Sequence, residues 1–208
     1  MIRKIKQVLK ALKWQKQIRV AVSTQLSLLE GDSLFAFGGL TEEEESALVA
    51  LVNTTKGGTQ DTPGVIVEFG TLFGLTTLLL AQHKLVSQKV ITLDNFSWNP
   101  FGLTPALHRD FTKRILRSAM QMGAVQLEKK DSASFRAEYQ GAIPCMVFLD
   151  ADHSYQAVKD EIGWAKNLGV KLICGHDYGN QSFGVTQAVD EAFPDGVEVK
   201  GMVWWHRG

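Results

Sequence analysis

Apolar residues at Ile2, Ile5, Leu9 and Leu12 recur at helical spacing among Lys4, Lys6, Lys10 and Lys13, so an amphipathic helix opens the chain. A turn at Gly38-Gly39 follows. Thr41 and Glu44 then stand three residues apart before an apolar run, the signature of a capping box. Residues 54–64, with Lys56-Gly57-Gly58 and Thr62-Pro63-Gly64, predict a loop. Beyond it, short apolar runs alternate with helical stripes. Strands are expected at 65–68, 89–93, 124–128, 145–149 and 171–174. Helices are expected at 75–83, at 105–122 on the stripe Leu107, Phe111, Ile115 and Ala119, after Ser154 on the stripe Tyr155, Val158, Ile162 and Ala165, and at 184–193. Residues 197–199 and 202–205 form a closing hairpin around Lys200-Gly201. The alternation predicts an α/β fold, a mostly parallel sheet with helices on both faces. The division is a helical segment over 1–64, for capping or oligomerisation, and an α/β domain over 65–208.

Composition changes this picture in three places. The chain balances 22 basic against 22 acidic residues, so no overall field favours nucleic acid. Seven of the basic residues and no acidic one fall within residues 1–29, leaving 15 basic against 22 acidic residues in the rest. A basic arm on an acidic body can meet an anionic membrane, a second subunit or the body itself; its amphipathicity favours a homo-oligomer over membrane contact. Cys145 and Cys174 sit in apolar runs and read as free thiols of a cytoplasmic protein, with a disulfide between strands as the alternative. No apolar run is long enough for a transmembrane helix, and no secretory signal follows the basic start.

In parallel sheets, ligands bind beyond the carboxyl ends of the strands. The first strand ends in Glu68-Phe69-Gly70-Thr71-Leu72-Phe73-Gly74. Its G-x-x-x-G spacing lacks the middle glycine by which backbone reaches a dinucleotide pyrophosphate. Glu68 would repel that pyrophosphate but suits a cationic ligand. Asp94-Asn95 ends the second strand, with Asp94 standing 24 residues beyond Gly70, where a carboxylate can hydrogen-bond a ribose diol. Asp131-Ser132 after the third strand either meets an adenine edge or caps a helix.

The fourth strand ends in Asp150-Ala151-Asp152-His153-Ser154-Tyr155, and the fifth in Gly175-His176-Asp177-Tyr178. Three carboxylates and two imidazoles at adjacent strand ends suit a divalent cation, Mg2+ or Mn2+, on Asp150 and Asp177 with His176 or Asp152 as third ligand. His153 or His176 can take a proton near neutrality, with Asp150 beside them. The bland alternative is helix capping by Asp152 or Ser154 and a buried hydrogen bond for His176.

Taken together, Glu68-Phe69-Gly70-Thr71 to Gly74, Asp94, the D-A-D-H-S-Y run, the G-H-D-Y run and Gly184-Val185 resemble class I S-adenosylmethionine-dependent methyltransferases, in the branch of macrolide-sugar and other small-molecule O-methyltransferases. The resemblance spans residue 65 to the C-terminus. It implies a Rossmann-like sheet with an antiparallel C-terminal strand. It implies S-adenosylmethionine contacts at Glu68, Gly70, Thr71, Gly74, Asp94, Asn95, Asp131 and Ser132. It also implies a divalent ion on Asp150 and Asp177, with His176 where relatives often carry a carboxylate or amide. The expected activity is O-methylation of a hydroxyl on a sugar, polyketide or phenolic acceptor. The competing readings are a cofactor-binding or hydroxylase-like protein on the same scaffold, and a membrane-associated module anchored by residues 1–19.

Overall fold

The structure, a computed structural model, describes residues 40–55, 64–98 and 103–208. The expected amphipathic helix, the Gly38-Gly39 turn and most of the 54–64 loop lie outside the described residues.

Helix α1 (Glu42–Thr54) opens on the expected capping box: Glu44 N–H donates to the Thr41 hydroxyl at 3.2 Å, and Thr41 N–H to the Glu44 carboxylate at 2.9 Å. Then follow β1 (Val65–Phe69), α2 (Leu75–His83), β2 (Lys89–Leu93), α3 (Pro105–Gln121), β3 (Val125–Glu128) and α4 (Ser132–Glu138). The chain continues through β4 (Met146–Leu149), α5 (Tyr155–Leu168), β5 (Leu172–Gly175), α6 (Val185–Ala192), β6 (Glu198–Lys200) and β7 (Val203–Arg207). The seven strands form one sheet in the order β3-β2-β1-β4-β5-β7-β6, reversing direction of growth at β1 and β4. Pairs among β1 to β5 are parallel, and β7 runs antiparallel to both its neighbours.

Both faces of the sheet are buried, because successive strand residues alternate between two cores. Ile66, Phe148 and Cys174 face α1, α2 and α3, packing on Leu48, Leu51, Leu80 and Leu116. Val67, Phe69, Leu149 and Ile173 face α4, α5 and α6, packing on Phe135, Ile162 and Val189. Helix α1 therefore shares a core with the α/β domain. Both cysteines are free thiols; Cys174 is buried in the first core and packed there. No described helix is long and apolar enough to cross a membrane.

One expected stripe is displaced. On α3 the side chains turned inward are His108, Thr112, Leu116 and Ala119, whereas Leu107 and Phe111 are exposed. The reason is polar. The His108 ring nitrogen lies 3.0 Å from the Leu72 carbonyl, and the Thr112 hydroxyl donates to the same oxygen at 2.6 Å.

Register places the site. Phe69 pairs with Leu93 and with Leu149, and Leu149 pairs with Gly175. The residues that follow, Gly70, Asp94, Asp150 and His176, thus leave the sheet at one level.

Candidate active site

The turn after β1 is shaped from its backbone. Gly70 and Gly74 have φ of +89° and +86°, the left-handed region where glycine carries no steric cost. A Cβ on Gly70 would stand 2.0 Å from the Asp150 carbonyl oxygen, so the glycine lets this turn lie directly against the end of β4. Asp94 closes the turn from β2. Its carboxylate accepts from the backbone N–H of Thr71 at 3.1 Å, Leu72 at 2.8 Å and Phe96 at 2.6 Å. His108 and Thr112 hold the Leu72 carbonyl from the opposite side, roles that the apolar stripe on α3 did not signal.

Glu68 lies behind the turn and is wholly buried. The Thr77 hydroxyl donates to one carboxylate oxygen, and the other has no partner among the described residues. Burial pushes this carboxyl up to about 8, against the pull of the Thr77 hydrogen bond; nearby Asp150 and Asp94 add to the rise. Thr71 is buried and spends its hydroxyl on Thr92, so only its backbone faces outward chemistry. Asn95 is exposed and accepts from Ser97 N–H at 2.7 Å. Asp131 caps α4, accepting from Ser134 N–H at 2.8 Å, and Ser132 opens that helix with a buried, unpartnered hydroxyl.

The ends of β4 and β5 carry charge instead. The His153 ring nitrogen Nε2 lies 3.4 Å from Asp150 and 3.2 Å from Asp177. His176 reaches the same Asp177 oxygen through Nδ1 at 3.4 Å, and its Nε2 lies 3.3 Å from Glu44. Glu44 comes from α1 and also accepts from Met202 N–H at 2.9 Å, tying the helix and the C-terminal hairpin to this cluster. Asp177 adopts a φ of +62°, a left-handed conformation that a non-glycine residue holds only when its surroundings fix it. Asp152 is exposed and accepts from Ser154 N–H, while Ser154 caps α5.

Five ionisable groups at these distances shift one another. Burial alone would lower His176, but the hydrogen bond to Asp177 and the charges of Asp150, Asp177 and Glu44 outweigh it and carry it up to about 9. His153 rises likewise, burial being outweighed by Asp150 and Asp177. Burial raises Asp150 above the usual carboxylate range, despite both imidazoles. Burial acts upward on Asp177 too, but its hydrogen bond with His176 and both imidazolium charges hold it low.

One ligand atom each from Asp150, His153 and Asp177 lies within 4.8 Å of the others, a spacing that one ion can bridge. Asp150 and Asp177, both expected, belong to this group. His153 stands beside the two carboxylates, whereas His176, expected there, is engaged by Glu44 and Asp177. Two carboxylates and an imidazole fit a divalent cation. The raised His153 sets a proton in competition with it.

No protein-family model matches the chain, and no curated protein matches it. Solved structures do. The O-methyltransferase from Bacillus cereus in complex with SAH superposes with a TM-score of 0.59 at 15% identity, over 94% of this chain and 91% of that one. The O-methyltransferase TomG from Streptomyces achromogenes, involved in tomaymycin synthesis and in complex with SAM, gives 0.59 at 14% identity, over 91% and 96%. Cofactor-bound Rv0187 from MTB gives 0.60 at 15% identity, over 94% and 89%. The sheet order and helix layers are therefore the fold that these solved structures share; chemistry has to come from the strand ends.

Proposed function

We propose that this chain is an S-adenosylmethionine-dependent O-methyltransferase acting on a hydroxyl of a small molecule. One observation carries the reading: the glycine turn lies against the Asp150 carbonyl, so a pinned cofactor turn and an acid–imidazole cluster share one edge of the sheet. Bound S-adenosylmethionine would supply an activated methyl group. Gly70 and Gly74 let backbone approach it without a Cβ. Asp94 spends three acceptor positions on the turn and keeps lone-pair capacity for a ribose hydroxyl. The unpartnered Glu68 oxygen would take a donor such as the methionine amino group; Asn95 and the Thr71 backbone would hold the ribose, and Asp131 and Ser132 the adenine. His153 takes the acceptor proton, so that the acceptor oxygen forms its bond to the methyl carbon as the carbon–sulfur bond breaks. Asp150 and Asp177 orient His153 and offset the positive charge it gains; His176 and Glu44 hold Asp177 in place. Where a divalent cation is bound, Asp150 and Asp177 would hold it and it would acidify the acceptor hydroxyl; His153, if it completes the ligand set, would then not be the base.

The test is formation of S-adenosylhomocysteine on feeding hydroxylated sugars, polyketides and phenols, with and without chelator. Methylated product confirms transfer, and a rate restored by Mg2+ or Mn2+ confirms the ion. Calorimetric binding of S-adenosylhomocysteine without turnover of any acceptor favours the second reading, a cofactor-binding or hydroxylase-like protein. That reading draws on His176, which pairs with Glu44 where relatives present a ligand. The partner we assign to residues 1–19 is a second copy of the chain in the cytoplasm. A chain lacking them should show lower mass by light scattering and unchanged cofactor binding; unchanged mass, with full-length protein pelleting on anionic vesicles, favours the membrane.

A further inference from the structure

The loop between β5 and α6 is hydrogen-bonded at most of its residues, to itself, to its neighbours and, at Gly184, to the His153 loop. Tyr178 N–H donates to the Met202 carbonyl at 3.1 Å, Gly179 N–H to the Thr186 hydroxyl at 2.8 Å, and Ser182 N–H to the Asn180 side chain at 3.1 Å. Phe183 N–H reaches the Asn180 carbonyl at 3.2 Å, and Gly184 N–H the His153 carbonyl at 2.8 Å. A Cβ on Gly184 would stand 2.2 Å from the Tyr155 backbone nitrogen, so this loop is pressed against the His153 loop. The result is a fixed ring. Phe183 stacks on the His153 imidazole with centroids 4.4 Å apart and planes 29° from parallel, and still leaves 39% of its surface to solvent.

A large apolar ring held rigid, half covered by an imidazole and otherwise open, is poised to be covered by something else. Met202 is a second exposed apolar side chain at this edge, attached through its own N–H to the Glu44 carboxylate beside His176. The carboxylates hold the imidazole edges, while the apolar ring covers the face of His153, so the surface offered beside this imidazole is flat and apolar.

We propose that Phe183 is a specificity-determining residue, the aromatic wall of the acceptor subsite, and that it selects acceptors with a flat apolar ring bearing the hydroxyl. The inference rests on the methyl-transfer reading for the role of His153, but its test does not require turnover. Phenol and cyclohexanol serve as probes, since they share a hydroxyl and a six-membered ring and differ in flatness. Saturation-transfer NMR on the full chain, recorded with and without S-adenosylhomocysteine, reads their binding. Phenol should receive saturation and cyclohexanol far less. Phe183→Ala and Phe183→Leu should weaken phenol binding roughly five- to tenfold, and Phe183→Tyr should restore it. Phe183→Leu keeps the apolar volume, so a loss there cannot be assigned to unfolding, and thermal melts of all variants check this. Equal binding of both probes, no phenol binding to the wild type, or phenol binding unmoved by Phe183→Ala overturns the inference. Calorimetry with S-adenosylhomocysteine on the same samples reads the cofactor separately. Wild-type protein that binds the cofactor but does not discriminate phenol from cyclohexanol overturns the role of Phe183 alone; absent cofactor binding overturns the methyltransferase reading, while phenol discrimination lost in Phe183→Ala still supports the aromatic wall.

Discussion

The two halves of the candidate site are held together by different physics. At the β1–β2 end, shape comes from the backbone: left-handed glycines, three N–H groups on Asp94, and one carbonyl held by His108 and Thr112. At the β4–β5 end, shape comes from charge: two imidazoles and three carboxylates, each within 3.4 Å of another member. These hydrogen bonds fix the backbone before any ligand arrives, so the first half is a preformed cradle. The second half changes charge with pH and with any cation, so it is the part able to accept a proton. A group-transfer site needs both, a rigid seat for one reactant and a titratable neighbour for the other.

The seam between the halves is Gly70, and breaking it should have the largest effect. In Gly70→Ala the new methyl group would meet the Asp150 carbonyl at 2.0 Å while the backbone stays at a φ of +89°. Overpacking of this kind costs roughly 1–3 kcal/mol, and left-handed backbone for alanine adds about 1. Neither neighbour is a flexible side-chain tip, so a loss of about 4 kcal/mol is expected in urea unfolding, together with loss of cofactor binding. A variant with wild-type stability would show that the turn and β4 separate freely, and that the two halves are independent.

The same contrast explains what the sequence could reveal. The strands at 89–93 and the helix at 75–83 match their expected bounds, because buried strands read as continuous apolar runs and the intervening turns are short. Thr41 and Glu44 were legible as a cap, since capping depends on neighbours in the chain. The second role of Glu44, against His176, was not legible: it depends on α1 and β5 meeting across more than a hundred residues. The inward face of α3 was misread because two hydrogen bonds to the Leu72 carbonyl outweigh burial of Leu107 and Phe111. Residue types in the acidic cluster were visible, but their pairing turns on the left-handed backbone at Asp177, which pattern alone does not show.

A smaller effect separates the halves by pH. Glu68 belongs to the cradle, yet it is a buried titratable group there, with its carboxyl pushed up to about 8 from an ordinary 4.5. Below pH 4.5 both folded and unfolded chains hold this proton. Between pH 4.5 and about 8 the folded chain keeps it and the unfolded chain has lost it, so unfolding releases a proton and stability falls as pH rises. His176, raised to about 9 from 6.5, adds a fall of the same sign, confined to the window between those values. Glu161, buried on α5 and pushed up to about 7, adds one from 4.5 to 7 and belongs to neither half. Because these windows overlap, a wild-type curve alone cannot be divided, but a difference between variants can. Glu68→Gln keeps an acceptor for the Thr77 hydroxyl and removes the titration. It should gain stability over the wild type by on the order of 3 kcal/mol at pH 8 and almost nothing at pH 4.5, since each pK unit of difference is worth about 1.4 kcal/mol and water reaching the unpartnered oxygen reduces the total. His176→Asn should remove the fall between pH 6.5 and 9, and should also raise Asp177 and so change the acid end of the curve. Urea midpoints measured from pH 4.5 to 9 decide the matter. A Glu68→Gln curve parallel to the wild type would mean that Glu68 is ionised in the folded chain, with a cationic partner already beside its free oxygen.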